Sequence, residues 1–298
     1  MRHKTADLDG PVHYLDFGGT GKPLVMVHGL GGSALNWMAV APQVAESYHV
    51  VALDLAGFGQ TPLFNRSAAV GANADLVHTF LEKVVGQPAV VMGNSMGGHI
   101  ALLEAANHPS SVSALILVDP AIPGIHVRRP EPRRLGVMPA LTIPGFAEIM
   151  LDRRVRLLGP EGLVLETLAI VCADASRVGR DVVRAHVQLL RERDKLGPQN
   201  GRAFLQASRS IGFRMADPRF WSRVAKVKAP TLIVHGSLDR LIPVAAAREL
   251  ARRRADWTLE VLEGIGHVPM MEAPSMFMDV LNGWSPYRIA REPVALSS

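Results

Sequence analysis

The chain carries one cysteine, Cys172, in 298 residues. An internal disulfide framework is therefore excluded. Nothing around Cys172 resembles a motif that would activate a thiol, so a small buried side chain is expected there. Aromatic residues make up only 5% of the chain, and no recognisable nucleic-acid motif accompanies its basic residues. No apolar run approaches the ~20 residues a spanning helix needs, so no stable membrane insertion is expected. Met1-Arg2-His3-Lys4-Thr5-Ala6-Asp7 is not followed by an apolar stretch. A secretory leader is thus not expected, and a cytoplasmic location is the simplest expectation. There is no internal repeat and no low-complexity linker. What is present is a globular composition, 48% hydrophobic and 20% charged, long enough to bury one large core.

Charge is unevenly spread. Residues 121–230 hold 20 Lys and Arg against 10 Asp and Glu, whereas the remainder holds 12 against 17. The basic part includes Arg128, Arg129, Arg133, Arg134, Arg153, Arg154 and Arg156. A solvated surface is the favoured reading, with no nucleic-acid partner. Attraction of an anionic substrate or surface is the minority alternative.

Short apolar runs alternate with helical patterns. Strands are expected at Val12–Phe17, Leu24–Val27, His49–Leu55, Ala89–Gly93, Ala114–Val118, Thr231–Val234 and Thr258–Leu262. Helices are expected near Ala68–Val84, Met96–Asn107, Val244–Arg253 and Ser275–Trp284, and Ser33 is suited to capping a helix that includes Trp37. The alternation predicts an α/β fold, a mostly parallel central sheet flanked by helices. Continuous apolar strands fit a sheet buried on both faces. Between residues 121 and 229 no convincing buried strand occurs. Prolines are followed there by helical patterns, clearest over Asp181–Arg193. The tail, Ser285–Ser298, is expected to be loosely attached.

One stretch carries more chemistry than any other, Gly93-Asn94-Ser95-Met96-Gly97-Gly98. It lies between a predicted strand and a predicted helix. A serine at the apex of such a turn is forced out of both elements, and its hydroxyl stands at the carboxyl edge of the sheet. Gly93 and Gly97 leave room where strand and helix cross. This is the G-x-S-x-G nucleophile elbow. Asp239 and His267 also follow predicted strands, giving the chain order nucleophile, acid, base. A free serine hydroxyl is a poor nucleophile, so His267 must take its proton and Asp239 must orient and stabilise the imidazole. Asp239 could instead merely cap a helix, and Asp119, also at a strand end, is the rival acid. An oxyanion needs preplaced donors, for which the backbone N–H groups of Leu30 and Met96 are the candidates. His28 is read as shaping the turn Gly29-Leu30-Gly31-Gly32, and Asp54 as tying down the loop with Gly57 and Gly59. That glycine turn lacks the spacing and lysine of a P-loop. His99, His108, His126, His186 and His235 show no metal-ligand spacing, so no metal and no cofactor are expected.

Together these residues resemble the α/β-hydrolase-fold serine hydrolases from about Val12 to Trp284. The resemblance rests on His28-Gly29, Asp54 through Gly59 with Thr61, the Ser95 elbow, Asp239 after His235-Gly236, and Gly266-His267. It implies a helical cap inserted after the sixth core strand, and so a core of residues 1–120 and 230–298 with a cap of residues 121–229. It also implies hydrolysis of a small-molecule carboxylic ester through an acyl-enzyme, with a hydrophobic or small acyl group. Gly29, Leu30, Asn94, Met96, Ile122, Leu141, Ile143, Leu241 and Val268 are the expected substrate-binding residues. Other apolar cap residues (Ile149, Met150, Leu163, Leu165 and Leu168) are expected partly to line a pocket and mostly to hold the cap together. Relatives that open epoxides or remove halides use aspartate where this chain has Ser95. Carbon–carbon bond hydrolases of meta-cleavage products share a similar elbow, but usually have tryptophan at the position of Val268. Cofactor-free haloperoxidases often have an aromatic residue at the position of Asn94. A non-catalytic ligand-binding protein is a further alternative from a different class.

Overall fold

The computed structural model describes residues 1–123, 146–194 and 199–284. Eight strands form one sheet in the order β1-β2-β4-β3-β5-β6-β7-β8. They are β1 (Arg2–Asp7), β2 (Pro11–Gly18), β3 (Pro23–Val27), β4 (His49–Leu53), β5 (Ala89–Asn94), β6 (Val112–Val118), β7 (Thr231–Gly236) and β8 (Thr258–Leu262). From β4 to β8 every neighbouring pair is parallel. β1–β2 and β2–β4 are antiparallel. The expected mostly parallel sheet is therefore present, with a hairpin added at one edge.

β1 was not among the expected strands. Its sequence is polar, and five of its six side chains are exposed. An edge strand has one free hydrogen-bonding side and little to bury, so it shows no apolar alternation. Its register is held by pairing from Arg2↔Asp16 to Asp7↔Pro11, and by Lys4 and Arg2 at 2.6 and 3.2 Å from the buried Asp16 carboxylate. Lys4, the Gly18 amide and His49 outweigh burial and hold the Asp16 carboxyl down at about 2.

The helices are α1 (Ala41–Val44), α2 (Val70–Phe80), α3 (Met96–Asn107), α4 (Phe146–Val171), α5 (Arg180–Asp194), α6 (Gln199–Met215), α7 (Phe220–Val224), α8 (Val244–Arg253), α9 (Pro269–Glu272) and α10 (Pro274–Gly283). α4 is broken at Gly159, where φ is 60°, and Pro160 restarts it. Proline suits a first helical turn because that N–H has no intrahelical acceptor. Ser33 caps a 3-10 turn over Ala34–Trp37 through a reciprocal box with Asn36. Leu141, Ile143 and the tail Ser285–Ser298 lie outside the described residues.

Two hydrophobic clusters form the core. One holds Val25, Val27, Val91, Leu115 and Ile233 with α2 and α3 residues. The other holds Leu24, Met26, Val90, Met92 and Ile116 with Trp37, Phe277 and Leu281. Alternate residues of the same strands thus feed opposite faces, as a doubly covered parallel sheet requires. Part of the segment between β6 and β7 joins the first cluster, namely Ala203, Ala207, Phe220, Val224 and Val227. Phe220 stacks on His99 of α3 with ring centroids 5.6 Å apart. α4 and α5 instead send Val164, Leu168, Val182 and Val187 into the second cluster. Ile149, Met150 and Leu165 are exposed.

α3 lies unusually close to the sheet. A Cβ on Gly97 would stand 2.3 Å from the Val27 carbonyl oxygen, and one on Gly93 2.3 Å from the Gly97 carbonyl oxygen. Backbone, unlike a flexible side chain, cannot yield to such contacts. Gly97→Ala is therefore expected to lower stability by about 1–3 kcal/mol or more. Gly283→Ala, whose Cβ meets nothing within 4 Å, should stay within about 0.5 kcal/mol of the parent. Thermal and urea unfolding of the two variants compare them directly. Equal stability of the two would contradict the close crossing.

Candidate active site

At the carboxyl edge of the sheet, Ser95 joins β5 to α3 with φ 57° and ψ −118°. Positive φ is costly for a side chain other than glycine, roughly 1–3 kcal/mol, and persists only where surroundings over-determine it. Here Ser95 N–H donates to the Val118 carbonyl at 2.9 Å. The Ser95 carbonyl accepts from His99 N–H at 3.1 Å and Ala121 N–H at 3.0 Å. Met96 is the first residue of α3, where the helix itself offers its N–H no acceptor. Leu30 lies in a turn closed by Gly32 N–H to Gly29 C=O at 3.1 Å, with Gly31 at φ 73°. A positive φ at that third position is what a type II turn requires, and glycine adopts it freely. A Cβ on Gly29 would come 3.0 Å from the Ser95 Cβ, so the turn rests against the elbow.

His28 fixes the turn from beneath. Its Nδ1–H donates to the Gly29 carbonyl at 2.7 Å, and its Nε2 accepts from Leu55 N–H at 3.1 Å. A carbonyl only accepts and an amide only donates, so the ring is the neutral Nδ1–H tautomer. Complete burial lowers its pKa and keeps it so. Asp54 anchors the next loop. Oδ1 accepts from Ala34 N–H, and Oδ2 accepts from Gln60 N–H and from His13 Nδ1–H, each at 2.7 Å. Gly59 has no room for a side chain, since its Cβ would fall 1.9 Å from the Asp54 carboxyl carbon. Arg193 of α5 adds donors to the Gly57 and Gly59 carbonyls.

Asp239 and His267 come together. His267 Nδ1–H donates to Asp239 Oδ2 at 2.6 Å. Asp239 Oδ1 also accepts from Leu241 N–H at 2.7 Å and Ile242 N–H at 3.0 Å. Burial pushes the Asp239 carboxyl up, but the bond to His267 and the neighbouring donors outweigh it, so it lies below its ordinary value. His267 N–H is held by the Val171 carbonyl of α4 at 2.7 Å. Asn94 links this loop to the elbow, donating from Nδ2 to the His267 carbonyl at 3.0 Å and the Val118 carbonyl at 3.2 Å. Both its amide hydrogens are committed, so Asn94 is a tie between elbow and histidine loop and offers no donor to a substrate.

The other expected substrate contacts are dispersed. Ile122 and Val268 are packed into the two core clusters. Met96 is buried, Leu30 is partly buried, and Leu241 is exposed beside Asp239. Cys172 is buried, and burial with nearby Glu272 and Asp174 pushes its thiol up to about 12, which leaves no thiolate at neutral pH. An open groove of about 650 Å³ between the loop before α2 and α6 is lined by Arg66, Arg202, Arg209, Arg214 and Phe213 among others, but by none of Ser95, Asp239 and His267.

Sequence reasoning missed Glu272. This buried carboxylate accepts from Gly266, Ala173 and Asp174 N–H at 2.9–3.0 Å and so binds the histidine loop to the end of α4. No local pattern around Glu272 announces those long-range partners. Nor did histidine spacing disclose that His78, Glu104 and His108 meet, with candidate ligand atoms within 4.8 Å. Glu104 there already accepts from His78 Nδ1–H and the Ser111 hydroxyl at 3.0 and 2.6 Å.

The chain belongs to the Alpha/beta hydrolase family, whose model matches residues 24–280. It is 28% identical over 263 residues to 2-hydroxy-6-oxo-6-(2'-aminophenyl)hexa-2,4-dienoic acid hydrolase of Metapseudomonas resinovorans, covering 87% of this chain and 82% of that one. It is 27% identical to the pimeloyl-[acyl-carrier protein] methyl ester esterase of Aeromonas hydrophila, covering 88% and 95%. The fold matches the meta-cleavage product hydrolase of Pseudomonas fluorescens IP01 with a TM-score of 0.72 at 20% identity, over 94% of this chain and 95% of that one. Among the described residues, no helix is long and apolar enough to cross a membrane.

The Asp54 anchor has a measurable signature. Burial pushes its carboxyl up, but the hydrogen bonds from His13 and the amides win and hold it below the usual range. Its contribution to stability is complete above the unfolded value of about 3.9 and is lost as pH falls through the lower folded value. Asp54→Ala strands three donors and should cost at least about 3 kcal/mol at pH 7, with a smaller difference from the parent near pH 3. Urea unfolding at both pH values checks this. A difference independent of pH would contradict the assignment.

Proposed function

We propose that the protein is a serine hydrolase that cleaves carboxylic esters of small or hydrophobic acyl groups. Ser95 is the nucleophile, His267 the general base and Asp239 the acid that orients it. The observation that carries this reading is the 2.6 Å Asp239–His267 hydrogen bond, on a loop tied by Asn94 to the strained Ser95 elbow. Ser95 Oγ attacks the ester carbonyl as His267 Nε2 takes its proton. The oxyanion is met by the Leu30 and Met96 N–H groups, and the alcohol leaves with the proton from His267. Water, activated by the same imidazole, then releases the acid. Because Asp239 accepts at Nδ1, it holds the proton there and leaves Nε2 free for Ser95.

Residues 121–229 form the cap over this site in our reading, on a core of residues 1–120 and 230–298. The packing of α4 and α5 against the second cluster supports it, as does the bond from His267 to the end of α4. The substrate is a small molecule, and the chemistry calls for no cofactor or metal.

Carbon–carbon bond hydrolysis of a vinylogous diketone is the second reading. It is favoured by the elbow Gly93-Asn94-Ser95-Met96-Gly97-Gly98 and by the relative from Metapseudomonas resinovorans. Val268, where such enzymes usually have tryptophan, weighs against it.

The test is a p-nitrophenyl ester series of rising acyl length beside a vinylogous diketone. Ester turnover that falls to background in Ser95→Ala supports the first reading, and diketone turnover alone supports the second. Asp239→Asn should lower kcat by about 10⁴-fold, since the imidazole then takes the wrong tautomer. Substantial turnover by Ser95→Ala would overturn the mechanism.

A further inference from the structure

Behind the Asp239–His267 pair lies a second buried carboxyl that the mechanism above does not use. Asp119 follows β6 with φ 44° and has no solvent exposure. Its backbone N–H donates to the Val234 carbonyl at 2.9 Å, which fixes it against β7. One carboxyl oxygen, Oδ1, accepts from Gly236 N–H at 2.9 Å. The other, Oδ2, has no hydrogen-bond partner that a carboxylate could use. Ligand-type atoms of Asp119, His235 and Asp239 all lie within 4.8 Å of one another.

Two buried carboxylates within 4.8 Å of each other repel, which favours a state in which one of the pair holds a proton. The donors decide where it sits. Asp239 accepts three N–H groups, from Leu241, Ile242 and His267. Asp119 accepts one. The remaining titratable neighbours add no positive charge to Asp119. His235 stands 3.6 Å from Asp119 Oδ1 and 3.5 Å from Asp239 Oδ2, but its Nε2–H donates to the Ile242 carbonyl at 2.9 Å. Burial lowers its pKa and keeps it neutral. Glu272, from α9, is another anion. His267, on the loop after β8, directs its Nδ1–H to Asp239 and not to Asp119.

We propose that Asp119 is a positioning residue for the triad, a neutral carboxylic acid whose Oδ2–H donates to the Asp239 carboxylate and holds it towards His267. The proposal rests on the triad assigned above. It accounts for the otherwise orphaned oxygen, because a protonated Oδ2 becomes a donor in a cluster where atoms of Asp119 and Asp239 lie within 4.8 Å of one another. Burial and the Asp239 charge push the Asp119 carboxyl well above its ordinary value, in the direction this requires. Asp239 keeps the negative charge that stabilises the imidazolium, and no proton leaves Asp119 during turnover. Raising the pH until Asp119 ionises removes the donor and sets two anions side by side, so activity falls on the alkaline side.

The test uses full-length parent, Asp119→Asn, Asp119→Ala and Ser95→Ala proteins. Infrared difference spectra at pH 7 should show a protonated carboxyl band in the parent and in Ser95→Ala, and not in Asp119→Asn. This readout stands whether or not any ester is turned over, so it separates failure of this proposal from failure of the hydrolase reading. With the best p-nitrophenyl ester, Asp119→Asn retains a donor and should keep kcat within about fivefold while losing the alkaline limb of the parent profile. Asp119→Ala should lose kcat by about 10- to 100-fold with little change in KM, the loss of one hydrogen bond to a charged acceptor. If Asp119→Ala does not fold, the infrared band and the Asp119→Asn profile decide. Absence of the band, an unchanged alkaline limb in Asp119→Asn, or undiminished kcat in Asp119→Ala would overturn the proposal. So would a loss in Asp119→Asn as large as that in Asp239→Asn.

Discussion

The close crossing of α3 over β3 and β5 is the constraint on which the site depends. Gly93 and Gly97 let the helix backbone meet the strand backbone. That contact places the first turn of α3 at the sheet edge and forces Ser95 into a positive-φ conformation. Three backbone hydrogen bonds, to Val118, His99 and Ala121, hold it there. The same approach sets Gly29 against Ser95 and so brings the Leu30 turn beside the elbow. Loosening the crossing would leave each part locally intact and their relative placement lost.

The remainder of the site is a set of loops cross-tied by buried polar groups. His28 joins the Leu30 turn to the start of the Asp54 loop, and Asp54 joins that loop to the 3-10 turn. Asn94 joins the elbow to the histidine loop, and Glu272 joins the histidine loop to the end of α4. Each group is buried and satisfied, and such networks rigidify because breaking one bond strands a desolvated partner. Flexible segments are thereby held at a sheet edge with little regular structure of their own.

Much of this was readable in the chain. Apolar runs such as Leu24–Val27 and Thr231–Val234 marked buried strands because both of their faces are covered. The elbow and the glycine turn were readable because their requirements are local, a sharp turn and no side chain at the crossing. β1 escaped because an exposed edge strand carries no apolar signature. Glu272 and Asn94 escaped because each has a partner more than 90 positions away, Ala173 and His267 respectively, and sequence spacing carries no trace of such contacts. Ile122 and Val268 were expected at the substrate from the family resemblance. Packing turned both into the core, where burial of an apolar side chain is more favourable than exposure at a cleft edge.

The bond from His267 N–H to the Val171 carbonyl also bears on how this fold can diversify. The segment between β6 and β7 connects two neighbouring parallel strands of the sheet. Its junction at residues 171–174 supports the histidine loop directly, through Val171 and through the Ala173 and Asp174 amides on Glu272. Gly266 can approach that junction only because it has no side chain; a Cβ there would lie 2.6 Å from the Ala173 nitrogen. A chimaera that exchanged the whole segment would therefore replace a piece of the scaffold under the imidazole. The workable graft boundary falls before Val171, so only part of the segment between β6 and β7 can be exchanged without disturbing the histidine loop.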